Sequence, residues 1–210
     1  MSEPLRFVII GSGGIAGTWV QVIRKTPRAA LVGVISRSGR RPAHLAEGEP
    51  VEITPSLPEV RAPFDAVIVA TPNGLHHEGA LAAASLGKHV LSEKPLEITL
   101  EAADAVIDAG RKRGVTLGVC YQRRMSPDNI AVKRLLDGGK LGAVYAADLA
   151  VKFFREQKYY DSAAYRGGWA IDGGGPFMQQ ASHQIDLYGW FFGKPSDVKS
   201  VTGTLAHRME

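Results

Sequence analysis

Up to Cys120, apolar residues alternate between short continuous runs and stretches with helical spacing. Residues 6–10 are, after Arg6, an apolar run rich in β-branched side chains that stops at Gly11, and residues 15–23 then carry apolar side chains at helical intervals. The pattern predicts a strand, a glycine turn and a helix. Residues 29–35 form a second apolar run after Pro27 and Arg28 end the helix, which completes a βαβ unit of about 30 residues. Further strands are predicted at 66–70, 89–91 and 116–119, with helices at 75–86 and 100–113 closed by Gly87 and Gly114. One short strand is placed in the proline-broken section 45–62. Continuous apolar strands alternating with amphipathic helices predict a parallel sheet covered on both faces.

Beyond Cys120 the texture changes. A helix is predicted at 129–136, ended by Asp137-Gly138-Gly139, and residues 143–154 alternate as a strand of an antiparallel sheet would. Residues 159–169 are aromatic and polar without a period, and read as a loop. A helix over 176–192 is entered through Gly173-Gly174-Gly175, and a last strand is predicted at 197–205. Two strands and two helices are few for a sheet with its own core, so the second domain is expected to be incomplete.

Composition narrows the picture modestly. Of 210 residues, 45% are hydrophobic and 22% charged, the values of an ordinary globular protein. The net charge of +4 is scattered except near 37–41 and 111–113, which suits a small anionic ligand better than nucleic acid. Cys120 is the single cysteine, so no intrachain disulfide forms and no cysteine-rich metal site is expected. Nothing resembles a signal peptide or the run of about 20 apolar residues of a membrane helix, and a cytoplasmic protein is expected.

Gly11-Ser12-Gly13-Gly14-Ile15-Ala16 fits G-x-G-x-x-G/A at a strand-to-helix junction. The first glycine permits the turn, the second lets backbone approach a pyrophosphate, and the small third residue packs helix on sheet. The N-terminus of the helix offers N–H groups and partial positive charge to phosphates. The fold class predicted is therefore α/β, with a Rossmann dinucleotide-binding domain over 1–121 and an incomplete α/β domain, with an open and largely antiparallel sheet, over 122–210. No carboxylate stands near the end of the second strand to hold ribose hydroxyls; Ser36, Arg37, Arg40 and Arg41 stand there instead. Hydroxyl and guanidinium groups suit a 2′-phosphate, which favours NADP over NAD.

Two further strand ends open on the same crevice. Ala70-Thr71-Pro72-Asn73 with His76 follows one, and Glu93-Lys94-Pro95 follows the next. A lysine beside a nicotinamide could hydrogen-bond a substrate hydroxyl and lower its pKa. These segments, the Gly87-Lys88-His89-Val90 run into Glu93-Lys94-Pro95, and Gly173-Gly174-Gly175 leading to His183 and Asp186 together resemble the Gfo/Idh/MocA family, that of glucose-fructose oxidoreductase and inositol dehydrogenase.

The resemblance implies an NAD(P)-dependent oxidoreductase of sugars, sugar derivatives or nucleotide sugars, forming homo-oligomers through a fuller C-terminal sheet. It implies Lys94 as the catalytic lysine, His183 as acid or base, and Gln122 at the dinucleotide. Many members carry Asp four residues before the histidine, where this chain has Gln179. An amide can hydrogen-bond but cannot stabilise an imidazolium as a carboxylate does. Arg123, Arg155, Tyr159, Arg166 and Trp169, with Gln179 and His183, are the expected substrate contacts, since aromatic faces and guanidinium forks suit sugars and their phosphates. Two other readings stand beside this one: a glycoside hydrolase of the same family using held NAD, and a fragment that binds dinucleotide without catalysis.

Overall fold

The chain's computed structural model describes residues 3–210 and divides into two units, Met1–Cys120 and Tyr121–Glu210. The first contains β1 (Leu5–Ile10), α1 (Gly14–Arg24), β2 (Ala29–Ile35), β3 (Glu52–Thr54), β4 (Ala66–Val69), α2 (His76–Ser85), β5 (His89–Ser92), α3 (Leu100–Arg113) and β6 (Leu117–Val119). The strands form one sheet in the order β3-β2-β1-β4-β5-β6, and all five pairings are parallel. Strand order reverses between β1 and β4, which is where open parallel sheets bind their ligands.

Residues of successive parity feed two separate cores. Val8, Ile35, Val67, Val69 and Val90 join Ala80, Ala83 and Val106 of α2 and α3 on one face. Ile9, Val34, Ile68 and Ala70 join Ala16, Val20 and Ile23 of α1 on the other. Burial on both faces is why these strands read as unbroken apolar runs rather than as alternation. Thr99 caps α3 by accepting from the Ala102 amide at 3.2 Å, and Gly114 ends it in the left-handed region at φ 64°. Arg6 and Asp65 lock the N-terminal edge of β1 to the entry of β4, with the guanidinium on the carboxylate at 2.7 and 3.0 Å and the Arg6 amide on it at 2.9 Å.

The second unit contains α4 (Pro127–Asp137), two five-residue segments, α5 (Gln157–Asp161) and α6 (Gly175–Gln179), and α7 (Ser182–Phe192). Helix α7 packs against α4 and against the turn at Gln122–Met125. There the Arg124 guanidinium forks onto Asp186 of α7 at 2.5 and 2.8 Å and lies over the Trp190 ring.

Three expectations for this unit are corrected. The helix over 176–192 is broken, because the amides of Gln180 and Ala181 both take the Pro176 carbonyl and α7 starts afresh from the Ala181 carbonyl. Part of the loop 159–169 belongs to α5. The segments 143–154 and 197–205 form no ladder, so the expected antiparallel sheet is absent among the described residues and the sheet of this structure is all parallel. Alternation fixes which face a side chain takes, but a strand exists only through a neighbour's hydrogen bonds, and neither segment supplies one to the other. Tyr145, Val201 and Leu205 in these segments are almost wholly exposed.

Candidate functional site

The glycine turn is closed on one side and open on the other. Gly11 has φ 120°, and a Cβ there would stand 2.5 Å from the Ala70 carbonyl oxygen, so the turn lies directly against the end of β4. Gly13, the N-terminal boundary of α1, has an ordinary extended backbone, and a Cβ added to it would meet nothing within 4 Å. Neither strain nor crowding by protein atoms calls for glycine at 13; open space at a helix N-terminus is what a phosphate group needs. No side chain caps α1 and no acidic residue occupies its first turn, which leaves N–H groups and partial positive charge for an external anion. Ser12, Gly14 and Ile15 are exposed, while Ala16 is fully buried under the sheet. The turn therefore fits a dinucleotide pyrophosphate.

At the end of β2, Ser36 is buried and its hydroxyl lies 3.2 Å from that of Ser38. Arg37 pairs with Glu78 of α2 at 2.8 Å on the surface, and Arg41 donates to the Glu49 carbonyl at 2.8 Å, closing the loop that follows. Arg40 is exposed. The three arginines thus have separate surroundings, and no carboxylate replaces them at the strand end.

The loops after β4 and β5 are fastened to each other. His76 is buried, with Nδ1 2.7 Å from the Pro95 carbonyl and Nε2 2.9 Å from that of Thr71. Each ring nitrogen faces a backbone carbonyl, one from each loop, so the His76 ring bridges the two loops. Beside it, Glu97 accepts from the His77 amide and ring and from the Ile98 amide at 2.7–3.1 Å. Burial works against that carboxylate, but these hydrogen bonds hold its pKa below the usual glutamate value. Asn73 is buried, Ala70 lies in the core, Pro72 opens the turn, and the Thr71 hydroxyl donates to the Leu75 carbonyl at 3.1 Å.

Lys94 sits at the tip of the β5 loop, with a cis peptide to Pro95. Glu93 is tied to β4 through its amide on the Val69 carbonyl at 2.9 Å. Its carboxylate accepts from the Lys94 amide at 3.2 Å and from the Trp19 indole at 2.8 Å. Trp19 belongs to α1, so one side chain links the helix behind the glycine turn to the loop bearing Lys94. Sequence reasoning missed it: only the packing of α1 on the sheet reveals which strand end position 19 reaches.

In the second unit, His183 lies in the first turn of α7, with Tyr121 set edge-on to its ring at 6.0 Å. Burial, and then the charge of Asp186, push the Tyr121 phenol pKa up; Arg124 opposes them. Gln179 donates its amide to Asp172, a buried carboxylate that also accepts the Gly167 amide at 2.9 Å. Asp172 was not singled out in the sequence, although it directly precedes the triple glycine. Gly174 has φ 104°, and a Cβ there would stand 2.2 Å from the Trp169 ring. Arg155, Tyr159 and Arg166 come together in one stack, and Gln122 and Arg123 lie exposed in the turn that begins the unit. Among the described residues, no group of three His, Cys, Asp or Glu is placed to hold a metal, and no helix is long and apolar enough to cross a membrane.

Comparison with known proteins agrees with this geometry. Residues 5–121 match the family model described as GFO/IDH/MocA oxidoreductase, NAD-binding Rossmann fold, and residues 130–210 match a GFO/IDH/MocA C-terminal domain. The crystal structure of the WlbA dehydrogenase from Chromobacterium violaceum, in complex with NADH and UDP-GlcNAcA, superposes with a TM-score of 0.92 at 33% identity, covering 100% of this chain and 61% of that one. Oxidoreductase P35 of Formosa agariphila is 30% identical over 207 residues, 95% of this chain and 64% of the relative. The 1,5-anhydro-D-fructose reductase of Ensifer adhaerens is 32% identical over 192 residues, 86% and 54%. The chain thus spans between about half and two thirds of the length of these relatives.

Proposed function

The chain belongs to the Gfo/Idh/MocA oxidoreductase family, and on that premise we propose that it binds a nicotinamide dinucleotide at the glycine turn and transfers hydride to or from a carbinol carbon of a sugar, sugar derivative or nucleotide sugar. The observation that carries this reading is the turn itself, pressed against β4 at Gly11 and open at Gly13. The nucleotide-sugar end of the substrate range is supported by the UDP-GlcNAcA held in the WlbA structure, the sugar end by the anhydrofructose reductase.

Within this reading Gly13, Gly14 and Ile15 bind the pyrophosphate through backbone N–H groups, and Ser36, Arg37 and Arg40 meet the adenosine ribose. The bound nicotinamide supplies the hydride acceptor or donor. Lys94, fixed by the Glu93–Trp19 hydrogen bond and the braced loop, polarises a substrate hydroxyl, and His183 takes or returns its proton. Tyr121 holds the His183 ring edge-on, and Gln179, itself held by Asp172, stands four residues before it, at the end of α6. The first unit is read as the cofactor domain and the second as part of a substrate and oligomerisation domain.

The test is Lys94→Ala. Turnover with a sugar or nucleotide sugar, followed by nicotinamide absorbance, should fall by about 10²–10⁴-fold, with dinucleotide affinity little changed. Loss of dinucleotide binding in that variant would contradict the role given to the lysine.

A further inference from the structure

The second unit holds a pair of cations that no ion pair among the described residues neutralises. The Arg155 guanidinium lies 4.5 Å from the centre of the Phe153 ring and 4.8 Å from that of Tyr159; the Arg166 guanidinium lies 4.2 Å from Tyr159 and 5.6 Å from Tyr165. One phenol ring therefore carries two positive charges. Arg6, Arg24, Arg37 and Arg124, by contrast, each reach a carboxylate within 2.8 Å. Among the described residues neither Arg155 nor Arg166 forms an ion pair, and the Nε of each is buried without a hydrogen-bond acceptor. Asp161, close in sequence, is engaged by Gln157 at 2.9 Å.

Stacking fixes the planes of both forks and leaves their charge unanswered. Two like charges held on one ring repel, and an anion with two charged groups relieves that repulsion while accepting from both forks. A neutral hexose cannot do so, and a single carboxylate would satisfy only one fork. The site is also built into the unit. The Gly167 amide, next to Arg166, donates to Asp172, and Asp172 holds Gln179 at the end of α6, four residues before His183 in α7. The His207 ring bonds the Arg155 carbonyl at 2.5 Å, anchoring the other arginine's backbone.

We infer that Arg155 and Arg166, stacked on Tyr159, bind the diphosphate of a nucleoside diphosphate sugar. This rests on the oxidoreductase reading above and narrows its substrate to the nucleotide sugars.

The experiment is calorimetric titration of uridine diphosphate into the chain, with and without saturating NADH, for the native protein and the variants Arg155→Ala and Arg166→Ala. Each substitution should weaken uridine diphosphate by about tenfold or more and leave NADH affinity unchanged. Inorganic pyrophosphate should compete, while uridine and glucuronate should not. Because loss of a stacked arginine can loosen the segment, Arg155→Lys and Arg166→Lys are measured too. They keep the charge but not the fork, and should show an intermediate loss. Unchanged uridine diphosphate affinity in all four variants overturns the assignment, as does competition by glucuronate without competition by pyrophosphate. Absence of NADH binding with this arginine-dependent uridine diphosphate binding intact would strike the oxidoreductase reading and support the diphosphate site.

Discussion

The two units of the chain differ in how they satisfy their backbones. In Met1–Cys120 every strand has at least one parallel neighbour, and strand residues of opposite parity feed cores on opposite faces of the sheet. In Tyr121–Glu210 the described residues contain helices and turns but no ladder, and the segments that alternate in sequence leave large apolar side chains exposed. Leu136, Asp137, Val144, Tyr145, Tyr188 and Phe192 line an open hollow there. The difference teaches where a local pattern is sufficient. A parallel βαβ unit finds its partners within a few dozen residues, whereas an antiparallel sheet needs strands that this stretch does not pair.

The sharpest way to break the comparison is Gly11→Ala. Its Cβ would collide with the Ala70 carbonyl at a strained φ, and the neighbour is backbone, so relief requires moving β4. A cost of about 2–6 kcal/mol is expected, seen as a lower midpoint in denaturant melts together with lost dinucleotide binding. Gly174→Ala probes the other unit. It displaces the Trp169 ring and strains the entry to α6, at a cost of about 1–3 kcal/mol. Hydrogen exchange should rise in 157–192, around the strained entry to α6, and not in the sheet.

A smaller effect comes from the edge of the sheet. Asp65 titrates below the ordinary aspartate range, because the Arg6 side chain and amide bond its charged form and outweigh burial. A depressed carboxyl contributes stability above its unfolded pKa and loses it as pH falls. The contribution should therefore be complete above about pH 5 and decline below about pH 4. Asp65→Asn should lower Tm by a few degrees at neutral pH, with the difference from the native protein closing in acid; a difference that stays constant to pH 3 would contradict the assignment.

Much of the first unit was legible because its signals are local. The glycine turn, the placement of the strands and the Gly114 helix boundary all follow from residues near the feature they specify. What remained hidden depended on packing between distant elements. The Trp19 indole on Glu93, the two-carbonyl bracing by His76 and the diversion of Arg41 to a loop carbonyl cannot be read from spacing. In the second unit, the helical pattern over 129–136 and its end at Asp137-Gly138-Gly139 located α4, which starts two residues earlier at Pro127, but the break at Gln180–Ala181 arose from a carbonyl shared by two amides. The alternation in 143–154 and 197–205 carried information about faces and none about partners.

The central claim is a dinucleotide site at the glycine turn, and thermal unfolding with NAD(H) and NADP(H) titrated separately tests it most directly. A ligand bound only by the folded state stabilises it by about 2.7 kcal/mol at a hundred times its Kd, so Tm should climb steadily with dinucleotide concentration. The form that acts at lower concentration identifies the preferred cofactor, with NADP(H) first if Arg37 and Arg40 meet a 2′-phosphate. A Tm unmoved by either form across the titration would contradict the account.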